Sequence, residues 1–169
     1  YSDCTISVKD SAGNTSNTLE ITSFTVETTA PIIAELTAIT TPTNDSTPNY
    51  TFLSDEAGTI TYGGSCSSST TNATTDNNTI TLVSLSDGIY SDCTITVTDA
   101  IGYVSNSITI TSFIVDSTAA TLLEVTAVTT PTNVSTPNYT FSSDEAGTIT
   151  YGGSCSSSTT SATTGNNTI

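Results

Sequence analysis

Along the chain, apolar residues alternate with threonine and other polar residues in short runs, which are separated by Pro, Asn, Asp or Gly. A two-residue period predicts β-strands with one buried and one solvent-facing side. No stretch has the apolar spacing of an amphipathic helix, so the pattern predicts an all-β chain. The Ser- and Thr-rich segment 67–75 is either an extra edge strand or a loop. Six strands are predicted in the central part, at residues 33–39, 49–54, 59–65, 78–85, 91–98 and 107–115.

In each predicted strand, the residues at every second position, which share one face, form the candidate core. The sixth run is different, because Ile108 and Ile110 have one parity whereas Phe113 and Val115 have the other. We therefore expect a bulge or bend near residues 111–112. Short, closely spaced strands of this number are typical of a Greek-key β-sandwich. The predicted core residues of the other strands are Tyr50, Phe52, Ile60, Tyr62, Ile80, Leu82, Cys93, Ile95 and Val97.

The whole pattern is repeated. Residues 1–80 align with residues 90–169 without a gap, at a spacing of 89 positions, and 58 of the 80 pairs are identical. A period of this length matches a small domain that folds by itself rather than a solenoid repeat. The strand register predicts the last two strands of one repeat in residues 1–27, a complete repeat in residues 28–117, and the first strands of the next repeat in residues 118–169.

Two explanations fit this register. In the first, the sequence is an excerpt from a continuous array of repeats. In the second, strands complement one another between chains, so that residues 1–27 of one subunit complete the truncated sandwich of the next. The second explanation predicts an intermolecular link.

Acidic residues dominate the charge. The chain contains sixteen Asp and Glu residues but only one Lys and no Arg, which gives a net charge of −15. Nucleic acids and anionic membranes require Lys or Arg contacts, so this composition excludes nucleic acid as a partner. The sequence has no apolar run of membrane-spanning length, so direct membrane insertion is not expected. Histidine is absent and no Gly-rich phosphate loop occurs, so we do not expect an enzyme.

The four cysteines fit a disulfide framework. Cys66 ends the third predicted strand and Cys93 lies near the start of the fifth, and in the expected topology these strands are antiparallel neighbours. A bridge between them is therefore predicted, and it implies an oxidising compartment. Cys4 and Cys155 are the same pair in the two incomplete repeats, so their partners are expected in adjacent copies or chains.

Several motifs resemble one known family, the tandem bacterial immunoglobulin-like repeats of large extracellular adhesins and surface fibres. They are residues 85–90 (LSDGIY), 94–99 (TITVTD), 10–14 (DSAGN) and 26–31 (VETTAP). The resemblance covers the entire period and implies tandem immunoglobulin-like Greek-key β-sandwiches of about 89 residues. Relative to the family pattern, residues 90–99 contain one extra residue, which predicts a bulge at residues 91–92.

The immunoglobulin-like topology also suggests a metal. Loops that carry acids converge at one end of such a domain, and hard oxygen ligands suit Ca²⁺. The family uses calcium between domains to stiffen its stalks, so the resemblance strengthens this expectation. Solubility and mutual repulsion between copies are the alternative reason for the acids, and no other cofactor is expected. The candidate ligands are Glu27, Asp55, Glu56 and Asp99 at one junction, and Asp116, Asp144, Glu145, Asp45 and Asp87 at the next.

The resemblance implies a structural repeat of a bacterial extracellular filament or giant cell-surface adhesin, which serves as a disulfide-stapled, rod-like stalk. Its partners would be neighbouring identical repeats or subunits. Two alternatives stay open, namely a filament subunit that polymerises by strand complementation and an adhesive module that binds glycan or a receptor.

Overall fold

The computed structural model describes all residues 1–169 and confirms an all-β chain without helices. The chain forms two compact units, residues 1–116 and residues 117–169. The strands of the first unit are β1 (Thr5–Ile6), β2 (Leu19–Glu20), β3 (Ile33–Thr37), β4 (Asn49–Ser54), β5 (Gly58–Gly63), β6 (Asn72–Ala73), β7 (Asp76–Thr81), β8 (Gly88–Tyr90), β9 (Thr94–Thr98), β10 (Ile108–Thr109) and β11 (Phe113–Val115). Those of the second are β12 (Leu122–Thr126), β13 (Thr140–Ser143), β14 (Gly147–Thr148), β15 (Ser161–Ala162) and β16 (Gly165–Thr168).

Residues 31–116, here called the central domain, contain three antiparallel sheets. One has the order β3-β4-β7 and another has the order β10-β9-β5-β6. The strand β6 pairs with β5 at the edge of the four-stranded sheet, so segment 67–75 does contribute an edge strand. The third sheet is the short pair of β8 and β11. All three contribute to one buried cluster, as in a β-sandwich.

The core of the central domain is built by the predicted alternation. Every second residue of β4, β7 and β9 is buried, while the residues between them, mostly threonines, are exposed or half-buried. Of the nine predicted core residues, eight are buried and Tyr62 packs against them half-buried. The two-residue period therefore gave the correct faces. The cluster also includes Ile33, Ile39, Cys66, Ala73, Leu85, Ile110, Phe113 and Val115.

The last hairpin of the central domain has two strands, β8–β9 and β10–β11, and each of them is interrupted. The first interruption separates β8 from β9 at residues 91–93, and the second separates β10 from β11 at residues 110–112. Ile108 pairs with Ile95 and Phe113 with Tyr90, so the two segments keep one antiparallel register across the gap. Because the two breaks face each other, the whole hairpin bends there and its buried parity changes on both strands. The bulge predicted at residues 91–92 and the bulge or bend predicted near 111–112 fall at these two interruptions, and because the register is unchanged across them, neither strand has an extra residue relative to its partner.

Residues 1–27, here called the N-terminal hairpin, repeat this architecture in reduced form. β1 pairs with β2 through Ile6 and Leu19, which is the register of the corresponding strands of the central domain. Residues 117–169, here called the open half, contain the sheets β12-β13-β16 and β14-β15. Their pairing repeats that of β3-β4-β7 and β5-β6. Each repeat therefore pairs its strands alike, whether or not it is complete.

The close approach of Gly64 to the last hairpin yields a prediction. Gly64 has a φ of 72°, and an added Cβ would lie 2.0 Å from the backbone oxygen of Asp92. Its counterpart Gly153 has a φ of 66° but open space around it. Backbone strain and overpacking together predict that Gly64→Ala destabilises the central domain by about 3 kcal/mol. Chemical denaturation followed by circular dichroism measures this loss.

Gly153→Ala is the control, since the same substitution is made outside the central domain and the added Cβ meets no atom within 4 Å. We expect it to leave the unfolding midpoint of the central domain unchanged. Equal midpoints for the two variants would contradict the close packing of Gly64 against Asp92.

Candidate functional site

The predicted disulfide is present between Cys66 and Cys93. Their Cα atoms lie 5.2 Å apart, the residues are 27 positions apart in sequence, and both side chains are buried. Beside the bridge, the Ser65 hydroxyl donates a hydrogen bond of 2.8 Å to Asp92, which lowers the pKa of that carboxyl. Closing a loop of this length stabilises a fold by about 3 to 4 kcal/mol in the chain-entropy account. A buried disulfide also indicates an oxidising compartment.

The other two cysteines are free thiols. Cys155 is exposed on the open half and Cys4 is partly exposed on the N-terminal hairpin. Their equivalents in the central domain are Cys66 and Cys93, which bond to each other. The expected partners of Cys4 and Cys155 in other copies stay a prediction.

The first predicted acidic set lies at the end of the central domain where β3 begins. There, Glu27 accepts hydrogen bonds from the N–H groups of Thr28 and Thr29, and also from the Thr29 hydroxyl. The hydrogen bonds from Thr29 and Thr28 lower the pKa of Glu27. The same Thr29 hydroxyl lies 3.2 Å from a carboxylate oxygen of Glu56. Two of the four predicted ligands therefore meet at one hydroxyl group.

Asp55 and Asp99 hold backbone turns at this end. Asp55 accepts a hydrogen bond of 2.6 Å from the N–H of Ile32. The Oδ1 atom of Asp99 accepts bonds from the N–H groups of Ile101, Gly102 and Tyr103. Each carboxylate thus fixes the chain where one strand leads into the next, which is a structural role that requires no ion.

The second oxygen of Asp99 has no hydrogen-bond partner although it is buried. The corresponding turn of the N-terminal hairpin explains this. There, Asp10 accepts a bond of 3.0 Å from the Asn14 side chain on its second oxygen, and this bond lowers the pKa of Asp10. The central domain has Tyr103 in place of that asparagine, so the donor is lost.

The second predicted acidic set is divided between the two units. On the first unit, Asp45 accepts bonds from the N–H and hydroxyl of Thr47, and the N–H of Asp116 donates to the Thr43 carbonyl. Asp87 lies in the turn before β8. On the second unit, Asp144 accepts a bond of 2.6 Å from the N–H of Thr121, which lowers its pKa, and Glu145 follows it in the turn.

No group of three or more His, Cys, Asp and Glu side chains in the structure is arranged to hold a metal ion. Calcium binding by the two predicted sets therefore stays a prediction. The chain also has no helix with the length and apolar character needed to cross a membrane.

Two polar contacts that the sequence pattern did not predict join the first and last strands of the central domain. The Asn106 side chain exchanges two hydrogen bonds with the backbone of Ile33, and Glu35 accepts bonds from both the N–H and the hydroxyl of Thr111. Burial opposes ionisation of Glu35, but the bonds from Thr111 outweigh it and lower the pKa of Glu35. Burial and the nearby Glu35 charge raise the pKa of Tyr50. The available signal was the identity of Asn17 with Asn106 and of Glu124 with Glu35 between repeats.

Comparison of the chain with models of known protein families, with curated proteins and with solved structures finds no match. The function must therefore be argued from the geometry of the chain itself.

The unpaired oxygen of Asp99 gives a second prediction. Tyr103→Asn restores the side-chain donor that Asn14 supplies in the other copy of this turn. Satisfying a buried carboxylate oxygen is worth about 1 to 2 kcal/mol, so the central domain of this variant should be more stable by that amount. Chemical denaturation compares the variant with the parent chain.

Tyr103→Leu serves as the control, because it removes the tyrosine without adding a donor. A gain from leucine equal to that from asparagine would contradict the assignment of the missing hydrogen bond to Asp99.

Proposed function

We propose that the chain is a structural repeat of a bacterial extracellular filament or giant cell-surface adhesin, in which immunoglobulin-like domains of about 89 residues form a rod-like, disulfide-stapled stalk. The observation that carries the proposal is the placement of the chain ends within the central domain. Tandem domains extend a stalk only if each one receives the chain at one end and releases it at the other.

The central domain meets this requirement. At one end, Ile33 pairs with Ser54 beside the turn that contains Asp55. At the other end, Val115 pairs with Gly88 and forms a bridge with Thr43. Because β3 begins at the first end and β11 finishes at the second, the length of the domain separates the two connections. A series of such domains would lengthen with each repeat.

The domain is also built to resist a pulling force along this direction. The segment around Thr43 runs parallel to β11. Its N–H donates to the Ile114 carbonyl and its carbonyl accepts from the Asp116 N–H, both at 2.9 Å. The Thr41 hydroxyl accepts a further bond of 2.9 Å from the N–H of Ile114. Tension on the two ends would load these bonds side by side, so they would have to break together.

The disulfide supports the same role in two ways. It links the segment after β5 to the residue before β9 within the buried core. It also prevents the residues between Cys66 and Cys93 from extending under force. An oxidising compartment, which the disulfide indicates, fits an extracellular location. The net charge of −15 would keep neighbouring stalks apart in solution.

Single-molecule force spectroscopy on the 169-residue chain, held at both ends through thiol-free tags, tests this proposal. We expect one distinct unfolding event for the central domain. Because the disulfide withholds 27 residue-to-residue steps of the chain, reduction should lengthen the extension gained in this event by about 90 Å at about 3.5 Å per step.

A variant with Cys66→Ser and Cys93→Ser is the control, and its gain should be the long one with or without reductant. Gradual extension of the oxidised chain without a distinct unfolding event would contradict a force-resisting role.

A further inference from the structure

The central domain contains four asparagines in the triplet Asn-x-Ser/Thr, which is the acceptor sequence for N-linked glycosylation. They are Asn44, Asn49, Asn72 and Asn77. Asn and Thr are common in this chain, so the triplets alone decide nothing. Their positions in the fold are more informative, because all four side chains are exposed.

The two other asparagines of the central domain lie outside such triplets and hold the backbone. Asn78 is buried, and its side chain accepts a hydrogen bond of 2.7 Å from the N–H of Thr74 and donates to the carbonyls of Thr74 and Asp76. Asn106 exchanges two hydrogen bonds with the backbone of Ile33. The asparagines with a structural role are therefore distinct from those that stand in acceptor triplets and face solvent.

Two of the four triplet asparagines, Asn72 and Asn77, are left free by the fold on the side of the domain. Neither of their side-chain amides takes part in a hydrogen bond. Asn49, in contrast, accepts a hydrogen bond of 2.7 Å from the Thr81 hydroxyl. Asn44 lies in the turn that bonds to β11, where the chain leaves the domain. Asn72 and Asn77 are thus both unengaged and remote from the chain connections.

These two asparagines lie on the two strands that form one edge of the domain. β6 is the last strand of the sheet β10-β9-β5-β6, and β7 is the last strand of the sheet β3-β4-β7. Only residues 74 and 75 separate β6 from β7, so both sheets end on the same side. An edge strand offers unpaired backbone groups to other chains, and proteins protect such edges with Lys, Pro or bulges. Neither strand contains Lys or Pro, and β7 pairs with β4 without a bulge.

An exposed apolar side chain adds to the need for protection at this edge. Asn77 pairs with Leu53 of β4, and Leu53 is 37% exposed on the outer face of the sheet. A glycan attached to Asn77 would begin beside Leu53, and a glycan attached to Asn72 would begin on β6. Two glycans at these positions would therefore flank the unprotected edge from both sheets.

From these positions we propose that Asn72 and Asn77 are N-glycosylation sites, and that their glycans shield the β6–β7 edge from pairing with other chains. The Cys66–Cys93 disulfide indicates an oxidising compartment, which is also the kind of compartment in which lipid-linked oligosaccharides are transferred to proteins. The two sites belong to the side of a complete domain, and the inference is independent of the stalk function.

The modification joins a sugar to the asparagine amide. The donor is an oligosaccharide held on a membrane lipid through a pyrophosphate group. The amide nitrogen attacks the anomeric carbon of the first sugar, so that a C–N bond forms while the C–O bond to the pyrophosphate breaks. The bonding electrons leave with the lipid pyrophosphate, and a base of the transferring enzyme takes the amide proton. That enzyme binds the hydroxyl two residues after the asparagine, which Thr74 and Thr79 supply here.

Mass spectrometry of the protein isolated from the cells that produce it tests the two sites. After reduction and alkylation, cleavage by chymotrypsin after Tyr62 and Leu82 releases residues 63–82, which contain both asparagines. Electron-transfer fragmentation then identifies the modified residue. We expect the mass of whole sugar units on Asn72 and on Asn77. An unmodified peptide would overturn the proposal, and so would sugars attached only to the Ser and Thr hydroxyls of segment 67–75.

Two variants made in the same cells test the acceptor triplet of Asn77. Thr79→Val removes the hydroxyl that the transferring enzyme binds while it keeps the shape of the side chain, so the glycan on Asn77 should be lost and the glycan on Asn72 kept. Thr79→Ser is the matched control, because it keeps a hydroxyl and should keep both glycans. An intact Cys66–Cys93 bridge shows that each variant is folded. Loss of the Asn77 glycan from both variants, or from neither, contradicts the assignment.

The shielding role is tested by the double variant Asn72→Gln/Asn77→Gln from the same cells. Without glycans at the β6–β7 edge, it should lose monomer on concentration, as measured by light scattering after size-exclusion chromatography. Asn44→Gln removes a triplet away from this edge and should stay as monomeric as the parent protein. A double variant that stays as monomeric as the Asn44→Gln control would overturn the shielding role.

Discussion

The structure depends on the covering of one sheet by another. In the central domain, Tyr50 and Phe52 of the sheet β3-β4-β7 pack into one buried cluster with residues of β5, β9 and β11. Burial of such large side chains contributes about 1.5 to 3 kcal/mol each, whereas exposed strand pairs contribute little by themselves. The same local pairing occurs in the open half, where Phe141 is still buried, but Tyr139 is only half-buried and Leu122 is exposed.

The specific contacts are placed so that they hold this cover in position. The Cys66–Cys93 bridge joins the covering strands at the point where the hairpin bends, and Gly64 lets the backbone pass close to Asp92 there. Asn106 and Thr111 tie the same hairpin to the first strand. The domain is therefore closed by a covalent bond at one place and by polar contacts at others, which suits a module that resists extension.

Much of the fold could be predicted from the sequence, because the alternation of apolar and polar residues and its repetition along the chain are local patterns. The buried parity of β4, β7 and β9 and the bend between β10 and β11 followed from spacing, and the disulfide followed from the expected strand topology. The tertiary contacts could not be predicted in this way. The bonds of Glu35 and the turn-holding role of Asp99 depend on which backbone groups the fold brings near each carboxylate. For this reason Asp99, which was predicted as a candidate calcium ligand, instead accepts the hydrogen bonds that hold a turn.

The most direct test of the account is hydrogen exchange on the Cys4→Ser/Cys155→Ser variant, kept dilute and monomeric. Residues 49–54 (NYTFLS) and 138–143 (NYTFSS) differ at one position, so their intrinsic exchange rates are comparable. If covering by the second sheet decides stability, amides of the first segment should exchange at least about a hundredfold more slowly than those of the second. Equal protection of the two segments would contradict the account, because it would show that the incompletely covered sheet is as stable as the fully covered one.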